Sequence, residues 1–339
     1  MYFTAKTIDD LMRPVLERLL RSKNRVATSR GETTELNGVL LKLANPRARL
    51  SRSITRGKVF SCLGELLWYL SKTNSLKYIT YYLPRYTENS DDNKTVYGAY
   101  GPRLFNLRGE YDQVSNLIAT LRAHKSSRRA VIQLFDASDV FGPRRKEIPC
   151  TCTLQFMVRK ERLEMFTSMR SNDAFTGLPH DIFSFTMLQE MVARSLGLEV
   201  GFYKHAVGSL HLYETDVLKT RRYLDEGFQS TKPMPPMPIG DPWTNIRRLV
   251  RLEASMRSRH PLAQKELERH GYWADLARLL EVFRLYKANQ NNEIPRVKKL
   301  MSSRTFNSYI RSREAEGPVV GALQQLDIPF PPSPGAPVE

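Results

Sequence analysis

Apolar and polar positions follow two different periods along this chain, and the style changes near residue 240. From Ile8 to Leu20 apolar residues return every three or four positions, which predicts an amphipathic helix. Lys58–Thr73 (KVFSCLGELLWYLSKT) is apolar nearly all round and predicts a buried helix. Ala130–Phe135, Thr153–Val158 and Leu163–Ser168 read as strands, Phe183–Leu196 as a long apolar helix, and Glu199–Leu212 as a strand interrupted by Gly208. Helices mixed with strands, without regular alternation of the two, predict an α+β fold. Lys232–Pro242 (KPMPPMPIGDP) disfavours helix and suits an extended linker or an edge strand. It divides the chain into residues 1–240 and 241–339. Beyond it Thr244–Met256, Pro261–Asn289 and Val297–Arg313 read as helices, followed by a proline-rich end, PFPPSPGAPVE.

Composition narrows the class. With 339 residues, 41% hydrophobic and 26% charged, the chain is neither disordered nor fibrous. No apolar run approaches the ~18 residues of a membrane span, and three cysteines are too few for a disulfide framework, so a cytoplasmic protein is expected. Fifty-two Lys and Arg against 35 Asp and Glu give a net charge of +17, which favours anionic or phosphorylated partners. Between Arg247 and Arg313 there are 16 basic and 6 acidic residues. With no base-reading motif there, a solvated helical face capping the rest is the expected role, and nucleic-acid binding the less favoured one.

Three segments concentrate chemistry. Pro149-Cys150-Thr151-Cys152 is a poor zinc set, because Cys62 is the only other cysteine and no histidine pair lies nearby. No metal is expected. Neighbouring arginines would instead lower the Cys150 thiol pKa and favour a nucleophilic thiolate. Met169–Asp181 (MRSNDAFTGLPHD) wedges a dense polar cluster between a strand and an apolar helix, a costly arrangement unless the groups are paired or bind something. Lys204–Tyr213 then carries His205, His211 and Tyr213 at even spacing, which predicts one shared strand face.

Taken in order, these pieces resemble the thymidylate synthase superfamily. The matching segments are GELLWYL (64–70), VYG (96–98), SRR (127–129), PC with QF five residues on (149–156), RSxD and GLP (170–179), and GxxHxY (208–213). The resemblance covers residues ~5 to ~215. It implies a large mixed sheet forming a homodimer interface, a catalytic domain over 1–240 and a basic helical extension with a proline-rich tail over 241–339. It also implies covalent catalysis: a thiolate adds to C6 of a pyrimidine, and C5 then attacks the carbon of 5,10-methylenetetrahydrofolate. On this resemblance Cys150 is the nucleophile, Glu65 the proton-handling carboxylate and Tyr97 a tyrosine near the nucleophile. Arg30, Arg128, Arg129 and Arg170 fall on phosphate-binding positions, with Arg128 and Arg129 reaching in from the partner subunit. Ser171 is a phosphate contact, His211 and Tyr213 sugar contacts, and Asp173 lies at the folate and base edge.

The departures select within the family. Synthases follow GLP with an aromatic and an asparagine, whose amide matches uracil; here His180 and Asp181 follow. A carboxylate accepts from cytosine's 4-amino group, so the chain looks like a deoxycytidylate hydroxymethylase, with dCMP favoured through Ser171 and Arg128. Thr151, Met169, Ser209 and Thr215 replace a histidine, a glutamine, an aspartate and an asparagine, and YYLPRY (81–86) replaces a tryptophan-containing segment. Open alternatives are a dCMP methylase, a CMP hydroxymethylase, a thymidylate synthase on dUMP, and a non-catalytic nucleic-acid-binding relative.

Overall fold

In the computed structural model, which describes residues 1–315, one mixed sheet organises the chain. Its strands are β1 (Tyr2–Ala5), β2 (Arg25–Thr28), β3 (Gly31–Leu43), β4 (Val131–Gln133), β5 (Thr151–Arg159), β6 (Arg162–Asp173) and β7 (Glu199–Tyr213). They run in the order β1-β3-β7-β6-β5-β4, with β2 paired to β3 alone. β1 with β3 and β6 with β7 are parallel, and the remaining pairs antiparallel. The expected α+β class with a large mixed sheet is present.

The helices are α1 (Ile8–Leu20), α2 (Val59–Leu70), α3 (Leu76–Tyr82), α4 (Tyr100–Phe105), α5 (Gln113–Ala123), α6 (Gly177–Ser195) and α7 (Val217–Asp225). α1 and α6 cover one face of the sheet, and α2 packs on α6 as a further layer. This double cover explains why α2 and α6 are buried nearly all round. On the opposite face Met157, Phe166, Phe202 and Ala206 stay only half-buried, with no helix layer among the described residues.

Three strands share a kink. In β3 the buried side changes parity between Leu36 and Val39, in β6 between Met169 and Asn172, and in β7 between Val207 and Leu210. Asn37 and Ser171 both pair with Ser209, so the kinks stack at one level. Gly208 is needed there, because a Cβ on it would stand 2.9 Å from the Arg170 carbonyl oxygen. One expectation falls with this. His205 points into the core, whereas His211 and Tyr213 point the other way, because the parity flip at Gly208 breaks the even count.

The later helices are α8 (Trp243–Arg257), α9 (Gln264–Leu267), α10 (Tyr272–Lys287), α11 (Ile294–Lys299) and α12 (Asn307–Ala315). The single helix expected over 261–289 is broken between α9 and α10, where Gly271 adopts φ +93°. The one expected over 297–313 divides where Ser302 and Ser303 donate backbone N–H groups to Asp275. Phe283 of α10 stacks on Tyr82 of α3 at 5.1 Å and on Phe60 of α2 at 6.0 Å, and Tyr82 donates to Glu253 of α8 at 2.9 Å. One apolar cluster therefore runs from Ile8 to Ile310. The proline-rich Lys232–Pro242 forms no helix, as expected, yet is docked: Met234 and Met237 are buried, and Met237 donates its N–H to Glu190 at 2.9 Å. The second proline-rich segment, 329–339, lies outside the described residues.

Candidate active site

The cysteine expected to act as nucleophile stands at the start of β5, and its neighbours hold it from three sides. The Arg170 guanidinium donates to the carbonyls of Pro149 at 3.0 Å and Ile148 at 3.1 Å, and brings Nη2 within 3.7 Å of Cys150 Sγ. Gly98 of the VYG turn packs on Ile148 and Pro149 so closely that a Cβ would meet their backbone at 3.1–3.2 Å. Tyr100 accepts from the backbone N–H of Thr151 at 3.2 Å. Burial, with Glu147 close by, pushes the Cys150 thiol up to about 12, against the pull of Arg170. Sequence reasoning expected the opposite shift. The arginines are present, but Glu147 offsets them and burial outweighs them.

Arg30 lies in the turn between β2 and β3, where it donates to Asn89 at 2.8 Å and to Glu147 at 2.7 Å. Ser171 and His211 meet across β6 and β7 at 3.4 Å, and the His211 and Tyr213 rings stand edge to face at 5.1 Å. Tyr97 is flanked by the guanidinium groups of Arg103 at 5.3 Å and Arg145 at 4.7 Å. Arg128 and Arg129 are exposed at the start of β4 and take no part in this chain's own cluster.

Glu65 is buried in α2 and accepts at one oxygen, Oε1, from Tyr69 at 3.1 Å and Tyr86 at 2.5 Å. Burial holds its carboxyl above the usual carboxylate range. Among the described residues Oε2 has no donor. Tyr86 belongs to YYLPRY, so the segment that departs from the synthase pattern reaches the central carboxylate directly.

Asp181 lies in the second turn of α6 and accepts from Asn172 Nδ2 at 2.7 Å. Burial and then Glu65 hold its carboxyl well above the usual range. A charge on Asp181 would add to the upward push on the Cys150 thiol. Asn172 in turn meets His205, and His205 meets Tyr203. Asp173 spends Oδ1 on the N–H groups of Phe175 and Thr176, both at 2.9 Å, which turns the chain into α6. Its Oδ2 accepts from no described residue. His180 caps the same turn from inside, between Thr176 O and Ser61, both at 3.0 Å.

Glu147, Asn89, Asn172 and Tyr86 were missed from sequence. Asn172 carried a signal, being the variable position inside RSxD. Glu147 and Asn89 are distant in sequence from Arg30 and carried none. An open cavity of about 400 Å³ lies at the other end of the sheet between Lys42, Arg159, Arg162 and Phe202, and has no part in this cluster. Among the described residues no group of three His, Cys, Asp or Glu is placed to hold a metal ion, and no helix is long and apolar enough to cross a membrane.

A kinked mixed sheet with a cysteine at the mouth of one strand, two arginines beside it and a carboxyl on the floor defines the thymidylate synthase fold class. The chain belongs to the thymidylate synthase family, whose family model matches residues 6–253. Over 159 residues it is 35% identical to a deoxyuridylate hydroxymethyltransferase of Pseudomonas phage M6, covering 46% of this chain and 44% of that relative. Over 238 residues it is 27% identical to a deoxyuridylate hydroxymethyltransferase of Delftia phage PhiW-14, covering 65% and 64%. The chain thus spans less than two thirds of either relative's length.

Proposed function

We propose that this chain transfers a one-carbon unit to C5 of a pyrimidine nucleotide, with dCMP the favoured substrate and the hydroxymethyl nucleotide the product. One observation carries the base assignment: an acid, not an amide, stands at position 181, where Asn172 donates to it at 2.7 Å. Oδ2 of Asp181 accepts from cytosine's 4-amino group, and a proton shared with N3 completes the pair. The relatives' names favour a second reading, dUMP hydroxymethylation. A neutral Asp181 offers one donor and one acceptor, as an amide does, and gives that reading a physical basis.

Cys150 adds through sulfur to C6, and the electron pair moves to make C5 nucleophilic. When bound, 5,10-methylenetetrahydrofolate supplies a carbon at the formaldehyde level, with Asp173 Oδ2 accepting from it. Glu65, held by two tyrosine hydroxyls at Oε1, keeps Oε2 free to order the water that hydrates the transferred carbon. Arg30 and Arg170 receive the phosphate, Ser171, His211 and Tyr213 the rest of the nucleotide, and Tyr97 supports the strand-end loop beside Cys150. The open sheet face with Met157, Phe166, Phe202 and Ala206 supports a homodimer, in which the exposed Arg128 and Arg129 reach the partner's cleft. Residues 1–240 carry this machinery, and the extension from 241 buttresses it; a cytoplasmic location fits such a role.

Release of tritium from C5, measured with dCMP, CMP and dUMP and followed by product mass, tests the proposal. Turnover should be best with dCMP and vanish in Cys150→Ser. Asp181→Asn should move the preference towards dUMP by about a hundredfold or more. Wild-type turnover confined to dUMP would remove the cytosine assignment.

A further inference from the structure

Behind Asp181 lies a row of polar groups that the reaction itself does not need. Asn172 is 4% exposed, and His205 and Tyr203 are fully buried. The chain runs from Tyr203 OH to His205 Nδ1 at 2.7 Å, from His205 Nε2 to Asn172 Oδ1 at 3.2 Å, and from Asn172 Nδ2 to Asp181 Oδ2 at 2.7 Å. Three successive hydrogen bonds in an otherwise apolar core are costly unless each donor meets an acceptor.

That requirement fixes their direction. The amide oxygen of Asn172 can only accept, so His205 must donate from Nε2. Burial keeps the ring neutral, with its pKa down at about 3, so it carries one proton and Nδ1 is an acceptor. The hydroxyl of Tyr203 therefore donates to Nδ1. Every donor points towards the carboxyl, and Oδ2 of Asp181 is fixed as an acceptor. A proton on Asp181 then resides on Oδ1.

We propose that Tyr203, His205 and Asn172 are positioning residues that set which oxygen of Asp181 carries a proton, and so set how strongly the site separates cytosine from uracil. This rests on Asp181 being the base-reading residue. Cytosine and uracil present opposite donor and acceptor orders at positions 3 and 4. A carboxyl whose proton is pinned to one oxygen matches only one of them in a given seat, whereas a carboxyl whose proton exchanges between its oxygens accepts both. The reverse polarity is the sharp competitor. With His205 protonated at Nδ1, Asn172 would turn its amide round and take the proton of Asp181, leaving the cleft an edge of acceptors only.

Two measurements on the full chain decide it. Nitrogen NMR of labelled histidine, with His205→Gln used to assign the signal, should show a protonated Nε2 and a bare Nδ1; the Nδ1–H tautomer would overturn the proposal without any substrate. The ratio of kcat/KM for dCMP and dUMP should move towards unity by about tenfold in Asn172→Ala and about threefold in Tyr203→Phe. Folding is checked by thermal unfolding, and Tyr203→Phe, which loses only a hydroxyl, decides alone if Asn172→Ala does not fold. Folded variants that keep the wild-type ratio reduce the row to core packing. A wild type that prefers dUMP defeats the cytosine assignment, yet the collapse or persistence of the ratio still judges the row. If neither nucleotide is turned over, the same ratio is read from calorimetric binding.

Discussion

Cys150 shows how a thiol beside an arginine can still be held in its protonated form by its surroundings. Its thiol lies near 12 because burial and Glu147 outweigh Arg170. Glu147 also engages Arg30, which the proposal gives to the phosphate. Removing that carboxylate frees a cation and deletes a negative neighbour, and both effects favour the thiolate. Glu147→Gln should raise the rate of Cys150 alkylation at a mildly alkaline pH by about three- to tenfold; an unchanged rate would mean that burial alone sets the thiol.

His180 gives a residue-scale prediction of the opposite kind. Burial lowers its pKa to about 3 from an ordinary 6.5. A folded-state pKa depressed below the unfolded one means that stability is complete above pH 6.5 and is lost as pH falls towards 3. The slope is about 1.4 kcal/mol per pH unit for one such group. Glu65 and Asp181 are raised and act in the other direction, so the difference between wild type and His180→Gln isolates the histidine. Denaturant titrations between about pH 6 and 4.5 should show a flatter stability curve for the variant. Parallel curves would show that His180 is charged in the fold.

At the scale of elements, the site is an outcome of close approaches. α2 carries Glu65, and its neighbour Gly64 lets the Tyr82 ring of α3 lie directly on the helix; a Cβ there would collide with the ring. Tyr82 cannot simply swing away, being stacked on Phe283 and bonded to Glu253. Gly64→Ala should cost about 1–3 kcal/mol or more in unfolding free energy and lower turnover through Glu65. Equal stability would mean that α3 can slide. The stacked kink in β3, β6 and β7 acts likewise on direction, turning His205 inward and leaving His211 and Tyr213 half-buried on the other face.

For the whole molecule, the segment after residue 240 matters because its core is not separate. α10 is buried along nearly its whole length and backs α2 and α3. Many of its cations are committed: Arg278 pairs with Asp275, Arg284 with Glu281, and in α8 Arg257 with Glu253. A chain ended at Gly240 loses Phe283 from the stack on Tyr82 and Phe60, where one buried aromatic ring contributes about 3–5 kcal/mol. Such a chain should fail to unfold cooperatively in calorimetry. A sharp transition near that of the full chain would show that the extension is dispensable.

Local pattern determined much of this protein without help. The apolar periods of α1, α2 and α6, the strands β5 to β7, and the order of motifs from Gly64 to Tyr213 are written in consecutive residues, because helix and strand periods are local properties. Cys150, Asp181 and Arg170 could be singled out through the family resemblance that those motifs carry. β3 was missed because GETTELNGVLLKL changes face midway, at a kink that exists only once its neighbours are paired. The sign of the thiol shift, the Arg30–Glu147 pair, Tyr86 at Glu65 and the row behind Asp181 depend on groups far apart in sequence. Burial and charge act through distance in space, and only the folded chain decides those distances.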